Sequence, residues 1–364
     1  MEKKKTGVGE FFKNLTRQQI FIPLVALILL AVFNLIADPG FFKITLGHNS
    51  AGDPVLSGYL ITILDYGSEL AILAIGMTLV TAASGGQDIS VGAIMAVSGA
   101  VICQILSGGQ VSVNELAAPI FLAVLAGIVV SGLCGAFNGF LVAKLNIQPM
   151  VATLILYTAG RGIAQLITKG QITYVRVESY QTIGGYIGKC PIPTPIFVAA
   201  IVVVITMLVL KKTALGLYIE CVGINGNASR LVGLNSTLIK FLTYVICGVL
   251  AGIAGWVASS RIYSADANNI GLNLEMDAIL AVALGGNILS GGKFSIAGSI
   301  IGAFTIQALT TTLYAMNVSG DQLPVYKAIV VVVIVVLQSP VFKKFLDNQK
   351  AKRNTAKTVA GGER

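Results

Sequence analysis

The chain has 364 residues, of which 55% are hydrophobic and only 11% charged, and its mean hydropathy is +0.83. Soluble domains carry roughly 25% charged residues, so a chain this apolar has too little polar surface for water and belongs in a membrane. The formal net charge of +9 does not indicate nucleic acid, because the basic residues gather at the two ends and in short connections, the distribution that orients a membrane protein.

His48 is the single histidine, which removes His-based metal sites and most nucleophile–base pairs. The cysteines (Cys103, Cys134, Cys190, Cys221 and Cys247) are far apart and form no CxxC pair, so they imply no disulfide framework. Neither a cofactor nor a metal is expected.

Residues 1–18 carry Lys3, Lys4, Lys5, Lys13 and Arg17 ahead of an apolar run at 19–37. That run ends in FNLIADPG without a small-x-small cleavage site and reads as a retained first helix rather than a signal peptide. Further runs near the ~20 residues that cross the hydrocarbon follow at 59–82, 91–107, 117–142, 149–168, 193–210, 237–259, 275–290, 294–316 and 324–342. The third and the eighth are short, the form taken by broken helices near a transport site. The expected fold is all-α, a polytopic transmembrane helical bundle of about ten spans. It comprises a cytoplasmic tail at 1–18, a transmembrane domain at 19–342 and a basic cytoplasmic tail at 343–364.

Charge fixes the expected orientation. With the N-terminus inside, 17 Lys/Arg fall on inner segments and 5 on outer ones. An odd number of spans would put the C-terminal basic cluster outside, so the positive-inside rule favours an even number with both termini cytoplasmic.

SGGQDISVG at 84–92 echoes SGGKFSIAG at 290–298, and AILA precedes each, at 71–74 and 278–281. Either a parallel repeat or the general likeness of glycine-rich turns produces such an echo. Gly85, Gly86, Asp88, Gly291 and Gly292 are expected to form helix-break turns, with the Asp88 carboxylate capping the third helix. The second turn is no ATP site. In NILSGGKF, Asn287 replaces the first glycine of a phosphate-binding loop and Phe294 its Ser/Thr.

Within the spans, Arg161 in YTAGRGIAQL is the most costly residue by position. It marks a polar path or an interhelical lock, with Glu69, Glu275 or Asp277 as partners, unless it snorkels to the outer interface. Asp65 and Glu69 are spaced i, i+4 and share a helix face. SADANNIGLNLEMDAI (264–279) supplies Asn268, Asn269 and Glu275, groups able to meet a hydroxylated solute or a delivery protein, or simply an exposed loop. GIVVSGLCGAFNG (127–139), GVLAGIAG (248–255) and AGSIIGA (297–303) have the small-residue spacing that lets helices approach closely.

KKTALGLYIECVGINGNASRLVGLNS (211–236) is a polar island between two apolar runs, mixing Lys211, Lys212, Glu220 and Arg230 with glycines and asparagines. It is more elaborate than a connection between membrane helices requires and reads as a docking surface on the cytoplasmic side.

These residues together resemble a family. GMTLVTAASGGQDISVGAIMAVSG is similar to the GMT…TGGIDLSVG signature of the permease subunits of bacterial ABC sugar importers of the ribose, xylose and galactoside group. So are IQPMVATLILYTAGRGIAQLIT, TALGLYIECVGINGNASRLVGLN and EMDAILAVALGGNILSGGKFSIAGSIIGA, in the family's order over about 60–340. Within the group, QITYV, TALGLYIE and SADANNIGLNLEMDAI most resemble the galactofuranose permeases. Gln87 and Ser84 depart from the family's Ile and Thr, and the segments 38–58 and 183–195 match no part of it.

The resemblance implies a non-enzymatic transport subunit in the plasma membrane of a bacterium. Its partners would be membrane lipid, an ABC ATPase subunit, an extracytoplasmic sugar-binding protein and a second permease subunit, identical or related. It also implies that 211–236 holds the short helix seated in the ATPase, with Glu220, Gly223, Asn225, Ala228 and Gly233 matching that pattern. Rival readings are a permease of the same superfamily for branched-chain amino acids or nucleosides, and an ion-coupled secondary transporter. The first would need complementary charges in its path, and the second intramembrane acids as relays.

Overall fold

The computed structural model describes residues 21–48 and 52–338. The basic segment 1–18 and the tail 343–364 lie outside the described residues, as do the last four residues of the run at 324–342. The described residues fall into two compact units, divided between Thr312 and Leu313.

Ten of the helices correspond to the ten apolar runs. They are α1 (Phe21–Ala37), α2 (Tyr59–Ser84), α3 (Val91–Leu106), α4 (Ile120–Ala143), α5 (Pro149–Ile167), α7 (Thr194–Lys212), α10 (Ser236–Arg261), α11 (Leu274–Leu284), α12 (Ile296–Ala315) and α13 (Leu323–Gln338). Among the described residues six of these, α2, α4, α5, α7, α10 and α12, are long and apolar enough to cross a membrane. α11 has only 11 residues and at ~1.5 Å per residue covers about half the hydrocarbon. Between the runs lie the short helices α6 (Glu178–Gln181), α8 (Leu215–Ile224) and α9 (Gly226–Leu231).

In the first unit α10 is the axis of packing, set against α4, α2 and α3. The small residues explain how. Gly248 of α10 faces Gly135 of α4 backbone to backbone, and Gly252 faces Ser131, so a side chain at either glycine would strike the neighbouring helix. α2 is buried over most of its length, whereas α7 presents Phe197, Ile201, Val204 and Leu208 at its surface, as a lipid-facing helix does.

The connections gather at two ends. At one, which we call the sheet end, five short strands depart from a purely helical architecture. A hairpin pairs β1 (Thr45–His48) with β2 (Pro54–Ser57), and a second sheet orders β3 (Ser112–Val113), β4 (Thr173–Val175) and β5 (Ser264–Ala265), with β3–β4 parallel and β4–β5 antiparallel. Strands of two to four residues carry too little alternation to stand out in a sequence. They satisfy backbone groups that three separate connections would otherwise leave unpaired. Pro191 and Tyr186 tie the hairpin to the loop after α6, through Leu56 N donating to Pro191 O (3.0 Å) and the Tyr186 hydroxyl donating to Leu56 O (3.2 Å). Ile102, Leu106, Val124, Val175 and Tyr180 form a buried core beneath the second sheet.

The opposite end, the turn end, is built of glycine. Gly85 ends α2 in a left-handed conformation (φ 67°) and abuts the Ser290 carbonyl, Gly86 packs on the Pro149 ring, and Gly292 N donates to Ala82 O at 2.9 Å. The two echoing sequences are therefore neighbours in space.

Candidate functional site

The polar island folds against the turn end as a pair of short helices. α8 buries Ile219 and Val222 against the bundle, and Gly223 sits against Ala82 O and Gly292 N with no space for a Cβ. Asn225 then ends α8 and caps α9, its Oδ1 accepting from Asn227 N (3.1 Å) and Ala228 N (3.0 Å). Gly233 turns the chain at φ 86° with open space around it. Three of the five residues singled out in this segment thus shape it, while Glu220 is half-buried and Ala228 exposed.

Much of what the pair presents outward is apolar. Leu217, Ile224, Leu231 and Val232 are 63%, 66%, 91% and 76% exposed, within a segment that also exposes Lys211, Lys212 and Arg230. Exposed apolar groups beside charge mark a surface that meets a protein or a membrane. Residue type alone gave the polar rim of this surface; its apolar centre needs the helix ends and the Gly223 contact to be seen.

Inside the bundle, Asp88, Ser90 and Asn138 are fully buried. Asp88 Oδ1 accepts from Ser90 N (2.9 Å) and Ser90 Oγ (2.6 Å), and Asn138 Nδ2 donates to Ser90 Oγ at 2.8 Å. The carboxylate braces the turn from in front of α3 instead of capping that helix's first-turn amides. Asn287 does comparable work in the second turn, accepting from Ser295 N (2.6 Å) and donating to Ser299 Oγ (2.8 Å), which contacts Thr78 Oγ1 of α2 at 2.6 Å.

Glu69 is locked, but by Arg261 and not by Arg161. The Arg261 guanidinium lies 2.9 Å from Asp65 Oδ1 and 2.5 Å from Glu69 Oε1, and it stacks over the Tyr66 ring at 4.1 Å from its centroid. The i, i+4 spacing put both carboxylates on one face as expected, and a cation from the far end of α10 answers them.

Arg161 lies about 18 Å along α5, past the helix midpoint, and its Nη1 donates to the carbonyls of Ala267 (3.1 Å), Asn268 (3.1 Å) and Ile270 (2.9 Å). It thereby pins the segment that leads from the sheet end into α11. Asn268 and Asn269 are exposed on that segment, and Asn268 Oδ1 accepts from Gln165 Nε2 at 2.6 Å. Glu275 is 1% exposed in the first turn of α11, and neither its carboxylate oxygens nor Arg161 Nε and Nη2 have a hydrogen-bond partner among the described residues. Arg161, Asn268 and Glu275 are thus gathered around one segment, whereas Glu69 belongs to the Arg261 cluster.

Residues 59–338 match the family model described as branched-chain amino acid transport system / permease component. The chain belongs to that permease family. The galactofuranose transporter permease protein of Escherichia coli (strain K12) is 42% identical over 335 residues, covering 92% of this chain and 93% of the relative. The fructose import permease protein FruF of Bifidobacterium longum (strain NCC 2705) is 38% identical over 97% of this chain and 96% of its own length. The ribose import permease protein of E. coli (strain K12) is 34% identical over 87% and 92%. No solved structure matches. The permease is a multi-pass protein of the bacterial inner membrane, the transport subunit of an ABC importer and not itself an enzyme, since ATP is hydrolysed on a separate subunit.

Proposed function

We propose that this permease carries a monosaccharide of the galactofuranose, fructose or ribose kind from an extracytoplasmic binding protein to the cytoplasm, and that the ATPase drives it by gripping 211–236. The relatives support the sugar: three of them, at 34–42% identity over most of both chains, are named for sugars, although the family description names branched-chain amino acids. The observation that carries the mechanism is the exposed apolar surface of α8 and α9, joined at Gly223 to the junction of Ala82 and Gly292. Movement of a partner seated on that surface reaches the end of α2 and the turn between α11 and α12 through contacts that include main chain at Gly223, and so biases which way the broken helices open.

In this reading the turn end is cytoplasmic, the ten helices all belong to the membrane domain at 19–342, and both tails, 1–18 and 343–364, are cytoplasmic. A second permease subunit, identical or related, pairs with this one among membrane lipid. Arg161, Asn268, Asn269 and Glu275 contribute to the polar path, where a neutral polyol needs donors and acceptors and no net charge. Glu220 and Ala228 meet the ATPase on the surface that Gly223, Asn225 and Gly233 shape, and the turns at Gly85, Gly86 and Asp88 and at Gly291 and Gly292 transmit its closure.

The test is ATP hydrolysis by the reconstituted importer. Binding protein loaded with a pentose or hexose, furanose forms included, should stimulate it. Stimulation by leucine-loaded or nucleoside-loaded binding protein, with none by any sugar, would replace the sugar reading with its rival.

A further inference from the structure

At the sheet end a cavity of about 1070 Å³ opens above the Arg261 cluster. Small-molecule sites run to roughly 300–1000 Å³, so it has room for a sugar ring with part of its hydration. Tyr66 and Asp65 come from α2, Tyr263 follows α10, Tyr174 stands on β4, Glu178 and Gln181 lie on α6, and Tyr186 comes from the loop that clasps the hairpin. Segments distant in sequence thus converge on one hollow, and their pairing in the sheet and with the hairpin holds it open without a ligand.

The lining combines charged groups with aromatic rings. Arg261 forms the floor, but Asp65 and Glu69 already neutralise it, and Arg176 stacks on Tyr174 at 5.4 Å from the ring centroid. A guest meets ring faces from the tyrosines, the exposed Arg176 and Glu178 side chains as donors and acceptors, and the amide of Gln181. Aromatic faces beside a few hydrogen-bonding groups suit a neutral polyhydroxylated ring, which shows an apolar C–H face and a polar rim.

We propose that this cavity is a receiving site for a monosaccharide, which occupies it after leaving the binding protein and before entering the bundle. The proposal rests on the sugar-permease reading above. The Asp65–Arg261–Glu69 cluster then closes the floor beneath the sugar, between the site and the buried face of α2.

The test uses the full importer in nanodiscs, permease and ATPase together, without binding protein. Saturation-transfer NMR is recorded with D-fructose, D-ribose and a methyl galactofuranoside at millimolar concentration. One of them should receive saturation at its ring protons, and the double variant Glu178→Gln/Tyr186→Ala should bind it roughly tenfold more weakly. The variant Leu125→Ala, on an exposed apolar position of α4, should bind as the parent does. Transfer that is absent from the parent, or unchanged in the double variant, overturns the site. So does a double variant that loses association with the binding protein while sugar transfer persists, since the hollow would then be a protein-docking groove. An importer that takes up none of these sugars even with loaded binding protein overturns the sugar reading and the site together, whereas normal uptake with unchanged transfer overturns the site alone.

Discussion

Gly223 stands so close to the carbonyl of Ala82 that the position has no space for a single side-chain carbon, and Gly292 completes the junction by donating its amide to that same carbonyl. α8 is therefore joined to the end of α2 and to the turn ahead of α12 by main chain, which cannot yield as a flexible side chain would. Gly223→Ala should lower permease stability by about 1–3 kcal/mol, as overpacking does, visible as a lower thermal midpoint of the purified protein. Gly233→Ala, strained by φ 86° but surrounded by open space, should lose only ~1–2 kcal/mol.

Leu231 and Val232 behave in the opposite way, because they stand exposed among the described residues. Leu231→Glu should leave permease stability within ~0.5 kcal/mol yet weaken ATPase association by 2 kcal/mol or more, as at the centre of an interface. Affinity capture of the ATPase, with the thermal midpoint measured on the same preparation, separates the two effects.

Arg261 holds two carboxylates, one of them almost wholly buried. Arg261→Ala should destabilise by about 3–5 kcal/mol, since it strands the Glu69 charge. Adding Glu69→Gln should restore part of the loss, because the buried group is then neutral. A double-mutant cycle of thermal denaturation reads this directly, and strict additivity would mean the pair does not act as a lock.

Asn138 donates to Ser90 and reaches toward Asp88 in a fully buried cluster. Asn138→Leu should cost about 1–3 kcal/mol through the unsatisfied partners it leaves. Ser90→Ala should lose a comparable amount, and guanidinium-free thermal scans of both variants check the prediction.

The long helices were readable because twenty-residue apolar runs mean the same thing everywhere in a bilayer. The turns at 84–92 and 290–298 were readable as breaks, although their contact with each other was not, since it passes through backbone amides and carbonyls. Arg161 illustrates a similar limit: a carboxylate was the natural partner to seek, and the guanidinium instead found three carbonyls of 267–270, which no residue type announces. Arg261 was hidden because it ends a long helix and its partners lie almost 200 positions earlier. The sheet was hidden because its strands are shorter than any periodicity can register.

Sugar uptake into proteoliposomes containing the permease, its second permease subunit and the ATPase tests the mechanism most directly, with loaded binding protein outside and ATP within. Accumulation should require ATP and should disappear in Leu231→Glu while the permease remains folded and inserted. Accumulation that persists in Leu231→Glu, or that follows an ion gradient without ATPase, would contradict docking at 211–236 as the source of transport.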